Sequence, residues 1–243
     1  MENISSFKTL FEKAAYGSHY AKAFDDFLTM CICCFSFNPE TKLSNYEDEY
    51  LRVIEPYKAN NTLKYFPELL ALMVIYMEEN KDSSQGNDLL GEFFQQEITH
   101  GRNGQFFTPF HITDFIAKVV NGEEIRSLNI LDPACGSGRM LLAFGKQSII
   151  PHCYYGVDID PLCAKMTAIN LFLNGHRGEV ICADALLPDR FSFGYTISFF
   201  PLGIFKIVKK EDSVIWQMSH TAFSDVKREK PESDNKSLQL RLF

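Results

Sequence analysis

Through the first hundred residues, apolar positions recur every three to four places. Phe7, Leu10, Phe11 and Ala14 follow a helical period, as do Phe24, Phe27, Leu28 and Cys31, and then Leu69, Leu70, Met73 and Met77. The last run stops in the polar stretch Glu79-Asn80-Lys81-Asp82-Ser83-Ser84, and Asp88 to Glu97 reads as a further helix. Near Gly101 the pattern changes. Short apolar runs now alternate with helical ones, as in a parallel sheet with crossover helices. Strands are expected at Ser127 to Leu131, Cys153 to Val157, Glu179 to Cys182 and Tyr195 to Phe200. Helices are expected at Arg139 to Lys146 and at Pro161 to Leu173, where Pro161 takes a first-turn position. Ile204 to Lys209 and Ser213 to Met218 read as a hairpin around a Lys-Glu-Asp turn. Asp225 to Lys236 reads as a charged, mobile tail, and Ser237 to Phe243 alternates weakly, as an added last strand would. The expected fold class is α/β: a doubly wound, Rossmann-like sheet over residues 101–243, preceded by a helical domain over residues 1–100.

Composition narrows the picture without redirecting it. Of the 243 residues, 46% are apolar, enough for a sizeable core. The longest apolar run, Leu69 to Met77, falls well short of the roughly 20 residues that cross a bilayer. The start lacks a basic segment followed by an apolar block, so no secretory signal is read there. A cytoplasmic protein with no membrane contact is expected. Seven cysteines, an odd number lying mostly in apolar stretches, fit reduced thiols. Cys31, Cys33 and Cys34 lack a second Cys/His pair at zinc spacing, so packing is expected there and no metal. The net charge of −7 is wrong for a chain that grips nucleic acid alone. The basic clusters Lys206/Lys209/Lys210 and Lys227/Arg228/Lys230 are short, with acidic neighbours. A nucleic-acid substrate would need a partner to supply much of the grip.

The candidate chemistry lies at the ends of the expected strands. Asp132-Pro133-Ala134-Cys135-Gly136-Ser137-Gly138 follows the first of them. Ligands in such sheets bind outside the carboxyl ends of the strands, and small residues let the backbone approach closely. An acidic residue opening the loop disfavours a phosphate but suits an ammonium, and no Gly-Lys-Ser/Thr follows, so a P-loop is not expected. S-adenosylmethionine carries both an ammonium and a sulfonium. The second strand ends in Gly156-Val157-Asp158-Ile159-Asp160, where an acidic side chain can take both ribose hydroxyls. The third ends in Cys182-Ala183-Asp184-Ala185, where Asp184 can accept from an adenine amino group. Upstream, in Gly104-Gln105-Phe106-Phe107-Thr108-Pro109, Thr108 reads as a helix cap and Pro109 as the first helical residue. The helix that follows sets Ile112, Phe115, Ile116 and Val119 on one face.

Together, these segments resemble the N6-adenine DNA methyltransferases, above all the methylation subunits of type I restriction–modification systems. The resemblance covers roughly residues 100–200. It implies S-adenosylmethionine as cofactor and DNA as substrate, with a specificity or other partner subunit. It implies that Phe107, Thr108 and Pro109 line the methionine end. Asp132, Ala134, Gly136 and Gly138 would hold that same end. Asp158 with Ile159 would take the ribose side, and Asp184 with Ala185 the adenine.

The family's catalytic signature after its fourth strand is Asn, Asp or Ser, then Pro-Pro, then an aromatic. A side-chain acceptor and a carbonyl take the two N–H hydrogens of adenine N6, and the aromatic stacks on the flipped base. This chain reads Ile197-Ser198-Phe199-Phe200-Pro201-Leu202. Ser198 is the one candidate acceptor, and no alignment restores Pro-Pro-aromatic. Three readings stay open. One is an adenine-N6 methyltransferase. Another is a catalytically impaired, methyltransferase-like binding or regulatory subunit. The third is a methyltransferase for another acceptor, such as a protein glutamine or RNA.

Overall fold

The structure, a computed structural model, describes residues 2–38, 40–41, 43–80, 87–99, 107–121, 127–199, 201–219 and 241–242. Gly104 to Phe106, the Lys227/Arg228/Lys230 cluster and the expected tail at 225–236 lie outside the described residues.

The N-terminal part is built from helices α1 (Glu2–Ala14), α2 (Tyr20–Cys34), α3 (Glu47–Ala59), α4 (Tyr65–Asn80) and α5 (Leu89–Phe93), the last continuing into a wider helical turn over Phe94–Thr99. A two-residue ladder of β1 (Phe37–Asn38) and β2 (Leu43–Ser44) lies between α2 and α3. The helical period delivers its apolar residues to one place. Phe7, Phe11, Phe24 and Phe93 are fully buried, and the ring of Phe93 stands 4.9 Å from that of Phe11 and 5.1 Å from that of Phe7. Edge-to-face pairs of this kind add to area burial. Helix α3 has a weak apolar period: only Ile54 and Tyr57 are buried, and Pro56 lies inside it. Cys31 and Cys33 are buried free thiols and Cys34 is an exposed one.

In the second part α6 (Phe110–Asn121), β3 (Asn129–Asp132), α7 (Arg139–Gln147), β4 (Cys153–Asp158), α8 (Pro161–Leu173), β5 (Arg177–Asp184), β6 (Leu187–Phe199) and β7 (Leu202–Ile207) follow in order. Then come a helix over 214–219 (α9) and β8 (Arg241–Leu242). The sheet order is β7-β6-β5-β4-β3-β8. Strands β8, β3, β4 and β5 are parallel, whereas β6 and β7 are antiparallel additions.

Strand alternation divides the sheet into two faces. Ile130, Tyr154, Val180 and Cys182 belong to the core shared with α7, α8 and the N-terminal helices. Val157, Ile181 and Ala183, with Leu131 and Tyr155 beside them, face the other way, against Ile215 of α9. The mixed sheet with helices on both faces is the expected Rossmann-like α/β class.

Three expectations are corrected. The strand expected at Tyr195 to Phe200 spans Leu187–Phe199 and runs back along β5, with Asp184 paired to Leu187 and Gly178 to Ile197. Only Ala185 and Leu186 separate the two strands. So short a link permits a hairpin, whereas a parallel return needs a dozen residues or more. The hairpin expected between 204–209 and 213–218 is not formed either: β7 pairs with β6, and 214–219 is helical. The Ser213 hydroxyl caps that helix by accepting from Trp216 N at 3.1 Å. Helix α6 also turns differently from its expected face. Thr113 and Ala117 are buried, while Ile112, Phe115 and Val119 are 40%, 64% and 66% exposed.

Candidate functional site

The carboxyl ends of β3, β4 and β5 lie side by side, because Asp132 pairs with Gly156 and Asp158 with Cys182. This register brings Asp132, Asp158 and Asp184 to one edge of the sheet. Each carboxylate shapes its own loop. Asp132 accepts from Ala134 N at 3.1 Å, and Asp184 accepts from Leu186 N at 3.0 Å. Asp158 spans two loops: its Oδ1 accepts from Asp160 N at 2.9 Å and its Oδ2 from Gly136 N at 2.8 Å. Carboxylate oxygens have further lone pairs, so Asp158 retains acceptor capacity for a ligand.

The loop after β3 needs its glycines. Gly136 and Gly138 have φ of 56° and 88°, the left-handed region that other residues rarely adopt. A side chain at 136 would also meet the Phe107 ring at 2.8 Å. Phe107 therefore lies directly on this loop, and its other contacts include a stacked ring at Phe94, 5.8 Å away. Thr108 and Pro109 are exposed beside it. The helix begins one residue later than the cap reading had it: the Pro109 carbonyl accepts from Ile112 N and Thr113 N. Ala134 is exposed on the loop, Ile159 is 70% exposed beyond β4, and Ala185 is exposed beyond β5.

Beneath the loop lies a buried network centred on a residue that the sequence reading did not select for the site. Asp88, fully buried, caps α5 by accepting from Gly91 N at 2.8 Å. Its two oxygens also accept from Arg139 Nε at 2.7 Å, Asn170 Nδ2 at 2.8 Å and the Ser137 hydroxyl. Asn170 also donates to Ser137 O, and Thr167 to Gly136 O, each at 2.8 Å. The Arg139 guanidinium lies 4.4 Å from the Phe110 ring centroid and 5.4 Å from that of Phe107. A buried carboxylate is tolerable only when its oxygens are satisfied in this way. One signal of the network was legible: Thr167 and Asn170 sit three apart on α8, a mostly apolar helix whose one charged residue is Lys165.

Burial dominates the electrostatics. Desolvation raises the Asp132 carboxyl above the ordinary carboxylate range, and Asp158 nearby adds to the effect. Desolvation likewise raises Asp158, against the pull of the amides that it accepts from. Burial pushes the Cys135 thiol well up, so it is no nucleophile at neutral pH. Desolvated carboxylates gain most from a cationic partner. The donor set and the glycine cradle therefore fit the ammonium and sulfonium end of S-adenosylmethionine.

The structure does not bring Ser198 to this edge. It pairs with Gly203 of β7, one position beyond the Gly178–Ile197 pair. Six strand steps along β5 separate Gly178 of that pair from Asp184, roughly 20 Å at strand rise. Ser198 therefore lies near the amino end of β5, because the β5–β6 hairpin reverses the chain. The family's Asn-Pro-Pro-aromatic segment has no counterpart at the carboxyl edge among the described residues. Of the basic cluster, Lys206 is paired with Glu49, and Lys210 lies 3.2 Å from Asp189.

The N-6 DNA Methylase family profile matches residues 87–228, more than half of the chain. The chain belongs to this family. The match begins one residue before Asp88 and takes in all three strand-end aspartates. Among curated relatives, the MjaIX type I restriction enzyme methylase subunit of Methanocaldococcus jannaschii is 30% identical over 118 residues, 45% of this chain and 20% of its own length. The MjaVIII methylase subunit of the same organism is 26% identical over 69% of this chain and 30% of its own length. The type II restriction enzyme and methyltransferase RM.BcgI of Heyndrickxia coagulans is 28% identical over 51% of this chain and 22% of its own length. The chain thus spans less than a third of the length of these relatives. A crystal structure assigned as a class I S-adenosylmethionine-dependent methyltransferase from Listeria monocytogenes superposes on 76% of this chain and 54% of that one, with a TM-score of 0.50 and 16% identity, which bears on the fold. Family and fold together imply S-adenosylmethionine as the cofactor. No helix among the described residues is long and apolar enough to cross a membrane.

Proposed function

We propose that this N-6 DNA methylase family member binds S-adenosylmethionine at the carboxyl edge of β3–β5 and serves adenine-N6 methylation of DNA in a restriction–modification setting. The observation that carries this reading is the row Asp132, Asp158 and Asp184 around a glycine loop fixed by Asp158. When bound, the cofactor supplies an already activated methyl group. The chain's task is to hold and orient it. Asp132 and the loop at Ala134, Gly136 and Gly138 take the ammonium end, with Phe107, Thr108 and Pro109 beside it. Asp158 and Ile159 take the ribose side, and Asp184 and Ala185 the adenine. A net charge of −7 and a paired basic cluster leave the DNA grip to a specificity or other partner subunit. Such a role places the chain with cellular DNA in the cytoplasm. The division into a helical part over 1–100 and a methyltransferase-like part over 101–243 is kept as a working description, with Asp88 serving the second part from within the first.

A second reading is favoured by the position of Ser198. With that residue turned to the far edge, the chain is a methyltransferase-like binding or regulatory subunit that holds the cofactor without transferring its methyl group. Transfer of labelled methyl from S-adenosylmethionine to adenine N6 in duplex DNA separates the two. Labelled DNA supports the enzyme. Cofactor binding without labelled DNA, in the isolated chain and with a partner subunit present, supports the second reading.

A further inference from the structure

Helix α5 and the turn that follows it carry the helical part up to the loop after β3, and they touch that region at two points. At the start, Asp88 accepts from Arg139 Nε and from the Ser137 hydroxyl. The approach needs a glycine on α5: a Cβ at Gly91 would collide with the side chains of both Asp88 and Ser137. At the far end, Phe94 is 1% exposed and lays its ring on that of Phe107, with centroids 5.8 Å apart and planes 14° apart. Phe107 lies in turn against Gly136, and the Arg139 guanidinium is 5.4 Å from its ring centroid.

The opposite end of this aromatic row is anchored in the helical core. Phe93 packs among Phe7, Phe11 and Phe24, with centroids 5.1, 4.9 and 5.4 Å away. Phe94 also stacks on Phe24, 6.1 Å away. Rings packed this closely have little freedom to move. Phe107 is placed differently. It is half-buried and belongs to no helix or strand, so its ring is held by its neighbours and not by regular backbone structure.

We infer that Phe94 is a positioning residue for the cofactor site: it holds Phe107 against the glycine loop in the free chain, and through it the helical part keeps the methionine end of the site in place. The inference rests on the S-adenosylmethionine reading and adds to it a residue outside the strand-end loops. The physical reason is preorganisation. A side chain already ordered by folding does not have to be ordered when the ligand binds. Phe107 borders the methionine end, so the benefit belongs to that end of the cofactor and not to its adenosine.

S-adenosylmethionine and adenosine are titrated separately into the full chain by calorimetry, well below the melting temperature of every variant. Phe94→Ala should weaken S-adenosylmethionine about twofold to tenfold, the cost of ordering one side chain on binding, and leave adenosine unchanged. Phe94→Leu, which refills much of the space, should recover part of the loss. Phe66→Ala is the control, because its buried ring packs on Phe27 and Tyr57 in the same helical core. It should destabilise the chain without changing the ratio of the two affinities. If Phe94→Ala fails to fold, Phe94→Leu and amide exchange of the wild type decide: S-adenosylmethionine should slow exchange in α5 and the turn over Phe94–Thr99, and adenosine should not. Equal loss of both ligands in Phe94→Ala, no loss of either, the same selective loss in Phe66→Ala, or exchange in α5 that ignores S-adenosylmethionine overturns the inference and leaves the cofactor reading standing. No heat with the wild type overturns the cofactor reading itself, and this inference with it.

Discussion

The two sides of the sheet beyond its central strand are built on opposite plans. From β3 to β5 every strand runs the same way, so each returns a carboxylate to one edge: Asp132, Asp158, Asp184. From β5 to β7 every strand reverses its neighbour, so chain ends alternate between edges and Ser198 is carried away. What separates the plans is connection length. Helices α7 and α8 supply the crossovers on the first side, while Ala185–Leu186 permits only a hairpin on the second. A site assembled from successive strand ends needs long connections. Where they stop, so does the row of strand-end carboxylates.

The largest expected effect tests what supports the parallel side. Asp88→Ala leaves Arg139 buried without its carboxylate, and breaking a buried pair costs about 3–5 kcal/mol. Urea unfolding should show that loss, and Arg139→Met in the same chain should recover part of it. A change below about 1 kcal/mol, the ordinary range for a single substitution, would mean that Asp88 does not hold the loop.

Next comes Asp158→Ala, which removes the acceptor of Gly136 N as well as a ligand acceptor. Charge-assisted hydrogen bonds contribute about 1.5–3 kcal/mol, so S-adenosylmethionine affinity should fall by about tenfold to a hundredfold in calorimetry. Unchanged affinity would remove Asp158 from the site.

A smaller effect has the opposite sign for stability. The Asp132 carboxyl is raised by burial, so the stability that it contributes is present below the ordinary carboxylate pKa of about 3.9 and lost as pH rises through its raised value. An asparagine amide in its place stays neutral at every pH and keeps that contribution. Asp132→Asn should therefore raise the melting temperature of the cofactor-free chain at neutral pH and weaken cofactor binding. The gain should fade as pH falls from the raised value towards about 4 and be gone below it, where the wild-type side chain is neutral both folded and unfolded. A melting temperature lowered at neutral pH would show that the carboxylate stabilises the empty site.

The smallest effect belongs to the antiparallel side. Ser198→Ala should leave S-adenosylmethionine affinity unchanged and stability within about 0.5 kcal/mol. A large loss of binding or of methyl transfer would break the comparison, because it would tie the far edge of the sheet to the chemistry.

Much of the parallel side was legible because its signals are local. Pro161 to Leu173 appears as read, and the strand–loop pairs ending in Asp132, Asp158 and Asp184 came from short apolar runs stopped by acidic residues. The reversal of β6 depended on a two-residue connection whose consequence is topological, and apolar pattern alone does not report direction. Ser213 to Met218 holds a short apolar run that reads as a strand; it becomes a helix because Glu179, far back on β5, accepts its first amides. Asp88 looked like a helix start and is one, but its link to Ser137, 49 residues on, exists only once the chain is folded. Helix α6 shows the same limit: its apolar period is strong, yet Phe115 and Val119 are exposed because α6 is buried through Thr113 and Ala117.

The central claim is that the row of strand-end carboxylates is a cofactor site, and calorimetry of S-adenosylmethionine with the wild-type chain tests it most directly. The account predicts saturable one-to-one binding. The absence of heat over the whole accessible concentration range, in a chain shown to be folded, would contradict it.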